Sequence, residues 1–134
     1  MQENISQKEI LYRAVKRSKP SWLDNNGKPT SAMYKDTGGI SVDRDGGRDV
    51  DSVVSFMKEK TFKNRLKGVV SLTAEKCLSE PFAVEIEAAP SPENPYHANI
   101  KRNEKDERIS QLQALKLADI SKVEYIDDDV KWIR

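Results

Sequence analysis

The stretch Gly68-Val69-Val70-Ser71-Leu72 is a short apolar run rich in β-branched residues, and this pattern predicts a buried strand. Residues 10–15 and 40–43 show the same preference for β-branched and aromatic side chains. Turn-forming residues follow the second of these segments at Arg44-Asp45-Gly46-Gly47. We therefore expect a sheet to form the centre of the fold.

Two further segments alternate apolar and polar side chains, as strands do when one face is buried. Residues 82–87 predict a half-buried antiparallel strand, and residues 96–100 predict a short strand with His97 and Asn99 on its polar face. The apolar faces of these two strands are expected to consist of Phe82, Val84 and Ile86, and of Tyr96, Ala98 and Ile100.

Helical patterns occur in two places. Asp49 is a suitable N-cap for a helix that carries apolar residues at helical spacing up to Met57. Residues 104–119 begin with acidic side chains and predict the longest helix. Together the elements predict a single α+β domain over residues 1–134, with two main helices packed on a mostly antiparallel or mixed sheet and residues 1–9 flexible. The buried stripe of the second helix is expected to contain Ile109, Leu112, Leu115 and Ala118.

Composition narrows the possible functions. The chain has 23 basic and 22 acidic residues among its 134, so its net charge of +1 gives no overall attraction to nucleic acid or anionic lipid. No apolar run approaches the ~20 residues that span a bilayer. Residues 1–4 lack the basic and then apolar pattern of a secretory signal, and the single Cys77 rules out an internal disulfide. We expect a cytoplasmic protein without a membrane segment.

A proline-rich segment, Ala89-Pro90-Ser91-Pro92-Glu93-Asn94-Pro95-Tyr96, precedes the only histidine of the chain. Its three prolines cannot lie inside a helix or a central strand, so the segment is expected to cross the surface as a stiff loop. His97 then has two interpretations. It is either a general base or metal ligand that needs partners from elsewhere, or a structural residue that pins Asn94-Pro95 to the sheet.

The segment Ser41-Val42-Asp43-Arg44-Asp45-Gly46-Gly47-Arg48 places two arginines and two glycines between a strand and a helix. Arginine forks bind phosphate or carboxylate, and glycines let the backbone approach an anion. The alternative is a tight turn closed by ion pairs between Asp43 and Arg44 or between Asp45 and Arg48. No nucleotide-binding glycine pattern is present.

Two other features are weaker candidates. Lys16, Arg17 and Lys19 with Trp22 resemble a single-strand nucleic-acid platform, but they are few, and a solvated loop is the favoured interpretation. Cys77 has no histidine or asparagine nearby in the sequence that would complete a nucleophile, which favours a small buried residue. Nothing in the sequence indicates a metal site or a cofactor.

Three motifs together carry a family resemblance: Leu11-Tyr12-Arg13, Ile40-Ser41-Val42-Asp43-Arg44 and Asn94-Pro95-Tyr96-His97-Ala98-Asn99-Ile100. This arrangement resembles a family of small bacterial proteins in which a Ser-Val-Asp-Arg stretch precedes an Asn-Pro-x-His-Ala-x-Ile stretch. The resemblance implies a bacterial origin and a shared fold over residues 10–119. It implies no activity, and the turn at residues 45–48 departs from the family pattern.

The leading hypothesis is a small intracellular accessory module that acts through a protein partner, which could be encoded nearby, and that binds no nucleic acid. The first alternative is an enzyme for a phosphate-containing substrate, a nucleotide or RNA, with His97 as acid–base and Asp43 orienting it, and with Arg44 and Arg48 as the phosphate clamp. The second alternative is a weak nucleic-acid binder. The predicted binding residues are Ser41, Asp43, Arg44, Arg48, Asn94, Tyr96 and His97.

Overall fold

The predicted buried strand around Val70 lies inside a six-stranded sheet and pairs with a strand on each side. A computed structural model describes residues 5–133, and all the strand pairings among them are antiparallel, which confirms a single α+β domain. The spatial order is β4-β5-β2-β1-β3-β6, so β4 and β6 are the outermost strands. The strands are β1 (Ile10–Lys16), β2 (Ile40–Arg44), β3 (Leu66–Thr73), β4 (Glu85–Ala88), β5 (His97–Lys101) and β6 (Lys122–Ile126). The α-helices are α1 (Val50–Phe56), α2 (Ala74–Leu78) and α3 (Gln111–Ile120).

Each face of the sheet is covered by its own hydrophobic core. Side chains alternate along β1, so Leu11 and Val15 enter the larger core while Tyr12 and Ala14 enter the smaller one on the opposite face. The larger core includes Leu117 of α3. The smaller core is closed by α1, whose Val53 is fully buried. The larger-core face and the α1 face are therefore chemically distinct.

Helix α1 begins as predicted. The Asp49 carboxylate accepts a hydrogen bond from the Ser52 backbone N–H at 2.8 Å, which satisfies one of the unpaired donors of the first turn. The helix then continues as the π-helical turn Met57–Thr61, in which Met57 is buried. In a π-helical turn each backbone hydrogen bond spans one residue more than in an α-helix, and such turns often occur at functional sites.

Helix α3 begins at Gln111, so the expectation that it starts at residue 104 is wrong. The Asn103 side chain accepts hydrogen bonds from the backbone N–H groups of Lys105 and Asp106, both at 2.9 Å, and this local turn competes with a helix. The helix starts where Ser110 and Gln113 form a capping box.

The predicted buried stripe of α3 is only partly right. Leu112 and Leu115 are 53% and 47% exposed, whereas Ala114 and Leu117 face the larger core. The reason is the buried Gln113, whose Nε2 donates to the carbonyl of Ala83 at 2.9 Å and fixes the rotation of the helix.

The strand predicted for residues 82–87 is displaced to Glu85–Ala88. Phe82 has a φ of 62° and is 42% exposed, so it neither extends the strand nor packs in the core. Val84 is buried as expected, but its N–H donates to the Cys77 carbonyl rather than to a neighbouring strand.

The N-terminal residues were expected to be flexible, and residues 1–4 lie outside the described residues. Glu9 is described, and its carboxylate accepts hydrogen bonds from the Arg44 guanidinium at 2.6 and 3.0 Å. Within residues 5–133, none of the helices combines the length and apolar character needed to cross a membrane.

Candidate functional site

A row of polar side chains crosses the α1 face of the sheet. The register pairs Tyr12 of β1 with Asp43 of β2, and Asp43 with His97 of β5. Paired residues of adjacent antiparallel strands project from the same face, with Cβ atoms about 4.5–5.5 Å apart. Two residues predicted from separate motifs, Asp43 and His97, are thus neighbours.

Asp43 is the most unusual member of this row because its side chain is only 4% exposed. Its Oδ1 accepts a hydrogen bond from the Asn94 amide at 2.8 Å, while Oδ2 is buried and has no hydrogen-bond partner among the described residues. Burial raises the pKa of the Asp43 carboxyl above its ordinary value, and Asn94, Arg48 and His97 offset only part of this effect. Buried carboxylates with an unused oxygen are costly and characteristic of binding sites.

Arg48 joins the turn before α1 to the proline-rich loop. Its guanidinium lies 3.5 Å from the centroid of the Tyr96 ring, and Tyr96 in turn makes an edge-to-face contact with Phe56 at 5.7 Å. Two of its nitrogens donate to the backbone carbonyls of Asp45 and Arg44, both at 2.9 Å. The ion pair predicted between Asp45 and Arg48 is thus replaced by contact with the Asp45 backbone carbonyl.

Gly46 allows the same turn to close on Tyr96. Its φ is 60°, and a Cβ at this position would lie 2.6 Å from the Tyr96 ring. The loop itself is held by reciprocal backbone hydrogen bonds between Ser91 and Asn94 at 3.0 and 3.1 Å. Residues 44–48 and 90–96, which we call the Tyr96 surface, therefore form one continuous structure.

Arg44 does not join His97. The register pairs Arg44 with Leu11, which lies in the larger core, so its side chain leaves the sheet on the face opposite Asp43. There it forms an ion pair with Glu9 rather than the predicted pair with Asp43. The structure thus brings together Asp43, Arg48 and His97 but not the complete arginine clamp.

A cleft of about 210 Å³ opens beside Asp43 on the α1 face. Its floor lies where β1 and β2 diverge beyond the Tyr12–Asp43 pair, and the π-helical turn forms one wall. The hydroxyl of Thr61, at the end of that turn, is also buried without a hydrogen-bond partner among the described residues. Of the predicted residues, the cleft contains Ser41, Asp43, Asn94 and His97.

Arg13 fills the space between the diverging strands. Its guanidinium donates to the carbonyls of Met33 and Ser41 at 2.9 and 2.8 Å and to the Asp36 carboxylate at 3.2 Å. No pattern in the sequence indicates Arg13, Tyr12 or Thr61 as site residues. Tyr12 and Arg13 are adjacent in β1, so the sequence predicts only that their side chains lie on opposite faces of the sheet. Their place beside Asp43 depends on the pairing of β1 with β2, which the sequence does not give.

The two weaker candidates have structural roles. Trp22 is 4% exposed and lies under Arg13, with 4.6 Å between the guanidinium carbon and the ring centroid, so its ring is not offered to a nucleic-acid base. Cys77 is fully buried, and burial raises the pKa of its thiol to about 12, which keeps it protonated. Among residues 5–133, no group of three or more histidine, cysteine or acidic residues could hold a metal ion.

Comparison of the chain with protein-family models, with curated proteins and with solved structures finds no match in any of the three. The resemblance to small bacterial proteins and the bacterial origin that it implies therefore stay predictions.

Asp43→Asn is expected to raise the free energy of unfolding at pH 7 by about 0.5–2 kcal/mol, because it removes a buried charge and keeps an oxygen for Asn94. The native pKa of Asp43 lies above the ordinary 3.8. As pH rises through the interval between these values, the unfolded chain loses the proton first and the wild-type protein loses stability. The advantage of the variant should therefore grow across that interval.

Urea denaturation of both proteins from about pH 3 to pH 7 measures this difference. Asp128→Asn, which changes an exposed aspartate, is the matched control and should track the wild type. A variant that is less stable than the wild type at pH 7 would contradict the account of Asp43.

Proposed function

We propose that this chain is a small intracellular bacterial accessory module that binds a protein partner, which could be encoded nearby, through the Tyr96 surface. The observation that carries the proposal is the contact of the Arg48 guanidinium with the Tyr96 ring at 3.5 Å. This contact joins two segments that are far apart in the sequence into one preformed surface.

Preformed surfaces bind well because little conformational entropy is lost on docking. Tyrosine and arginine are also the side chains that most often dominate interface energies. On the Tyr96 surface both are half-buried, and Pro92, Glu93 and Pro95 of the same loop are exposed. A partner would therefore meet a preformed loop that exposes two prolines and one acidic side chain.

Glu93→Arg is expected to weaken partner binding by at least about tenfold, since reversing a charge on a recognition surface opposes a complementary partner. Glu93 is exposed, so the variant should keep the stability of the wild type. The immobilised wild type and variant are each incubated with lysate of the native host cells. A protein retained by the wild type and lost by the variant is then purified, and its dissociation constant is measured by calorimetry.

Glu104→Arg is the matched control, because Glu104 is equally exposed but follows the opposite end of β5. It should retain the same protein as the wild type. The proposal fails when the wild type retains no protein, or when Glu93→Arg retains the same protein as the wild type does.

The geometry gives less support to an enzyme for a phosphate-containing substrate. That function requires Arg44 beside His97, and Arg44 instead pairs with Glu9 on the other face. A nucleic-acid binder is also less favoured, since Trp22 is buried. Partner binding instead needs only the proline-rich loop and the turn at residues 44–48, which the contact of Arg48 with Tyr96 holds together.

A further inference from the structure

A second pocket, of about 340 Å³, lies between the residue that follows the 3₁₀ turn Ser31–Tyr34 and the segment 102–111 that leads into α3. Three of its lining residues are cationic: Lys35, Arg102 and Arg108. No acidic residue in the described part of the chain lines it. Positive charges that share one pocket repel one another, and an anion placed between them relieves this repulsion.

The cationic side chains are open to a ligand. Lys35 and Arg108 are exposed, and the Arg102 side chain is 39% exposed. Arg102 forms an ion pair with Asp106 at 3.2 Å, which offsets one positive charge. Lys35 and Arg108 form no ion pair with any residue that the structure describes. Three cations less the paired one leave the pocket with an excess of two positive charges.

The backbone on both sides of the pocket is held by the fold. Lys35 directly follows Tyr34, which is fully buried. The Arg102 carbonyl accepts a hydrogen bond from Nε2 of the buried Gln113 in α3 at 3.3 Å. Two segments that are far apart in the sequence are thus fixed beside each other before any ligand arrives, which lowers the entropy lost on binding.

The charge and size of the pocket favour a phosphate monoester. Such a group carries about 1.5–2 negative charges at pH 7, which matches the excess positive charge, and guanidinium groups bind its oxygens through paired hydrogen bonds. The volume of about 340 Å³ lies at the lower end of the range of about 300–1,000 Å³ that is typical for small ligands. It therefore has room for the phosphate and a small organic group that carries it. A single carboxylate would match only one of the two charges.

We propose that this pocket, which we call the anion pocket, binds the phosphate group of a small phosphate monoester. Arg102 and Arg108 donate to the phosphate oxygens, and Lys35 supplies the further positive charge. None of the residues that line the anion pocket belongs to the Tyr96 surface, so the site is tested without any protein partner.

Protein-observed NMR titration with methyl phosphate tests the site. At about pH 7.5, where the monoester is mostly a dianion, it should bind with a dissociation constant below about 1 mM and shift the backbone amide signals of Lys35 and Ser110. Dimethyl phosphate, which carries a single charge, should bind at least about tenfold more weakly. Inorganic phosphate has the charge without the ester group and should bind no more tightly than methyl phosphate. Tighter binding of inorganic phosphate would overturn the assignment to a monoester.

Lys35→Gln and Arg108→Gln each remove one unpaired cation and should each weaken binding of methyl phosphate about fivefold or more. Both residues are exposed, so these variants should keep the stability of the wild type. Lys105→Gln is the matched control, because it removes an exposed cation of the same segment that does not line the pocket, and it should bind as the wild type does.

Three results would overturn the anion pocket. They are a dissociation constant for methyl phosphate above about 1 mM, equal binding of dimethyl phosphate, and a loss of affinity in Lys105→Gln as large as that in the two pocket variants. Wild-type affinity in both pocket variants would overturn it as well. Since these variants leave the Tyr96 surface unchanged, such a failure leaves partner binding to be judged by its own test.

Discussion

Arg13→Met should lower the free energy of unfolding by about 2–4 kcal/mol, the largest effect of any substitution considered for this protein. The side chain is 4% exposed and its guanidinium donates to two backbone carbonyls and to the Asp36 carboxylate. Methionine fills much of the same volume but donates nothing, so the buried carbonyl of Met33 and the partly buried carbonyl of Ser41 lose this partner. The loss also removes the cation–π contacts with Trp22 and Tyr34.

Urea denaturation followed by fluorescence measures this change, with the m-value used to confirm that the cooperative transition is retained. Arg108→Met serves as the control because Arg108 is exposed, and it should stay within about 0.5 kcal/mol of the wild type. A loss of less than about 1 kcal/mol for Arg13→Met would show that Arg13 does not hold the diverging strands together.

Gly68→Ala is expected to destabilise the protein by about 1–3 kcal/mol or more, because the added methyl group collides with main-chain atoms. A Cβ on Gly68 would lie 2.6 Å from the carbonyl oxygen of Tyr125. Gly68 pairs directly with Ile126, so the neighbouring backbone of β6 cannot move away without breaking the ladder. The damage should concentrate in β6.

Thermal denaturation gives the overall loss, and hydrogen exchange of the β6 amides shows where it occurs. Gly38→Ala is the matched control, since the nearest atom to its Cβ would be the flexible Glu107 carboxylate at 3.8 Å. This control should equal the wild type or exceed it by about 0.4–1 kcal/mol. Equal stability of the two alanine variants would disprove the close approach at β6.

Much of the sheet could be predicted from the sequence because its inner strands follow simple patterns. The predictions for residues 10–15, 40–43 and 68–72 are confirmed, since these residues lie in β1, β2 and β3 and most of their apolar side chains are buried. Asp49 was also identified correctly, because an N-cap acts through its own side chain and needs no distant partner.

The errors arose where distant contacts outweighed local patterns. Leu112 and Leu115 have the spacing of a buried stripe, but Gln113 turns α3 by reaching the carbonyls of Ala83 and Arg102. Phe82 fits an alternating strand, but its φ of 62° ends the pattern. No local window of sequence contains the partners of Gln113 that decide the rotation of α3.

The candidate site was predictable in its parts and not in its assembly. The motifs containing Asp43 and His97 were both recognised, yet only the register shows that the two residues are cross-strand neighbours. The same register separates Arg44 from them, because successive residues of a strand point to opposite faces. Thr61 carried no signal, since an isolated threonine near a helix end is common.

The two outermost strands have a consequence for how copies of this chain behave together. β4 has only four residues, includes the acidic Glu85 and Glu87, and is followed by Pro90. β6 leads into the acidic run at residues 127–129. Short, charged edge strands of this kind discourage a second molecule from adding its own strand. We therefore expect the chain to resist growth into fibrils even when it is crowded.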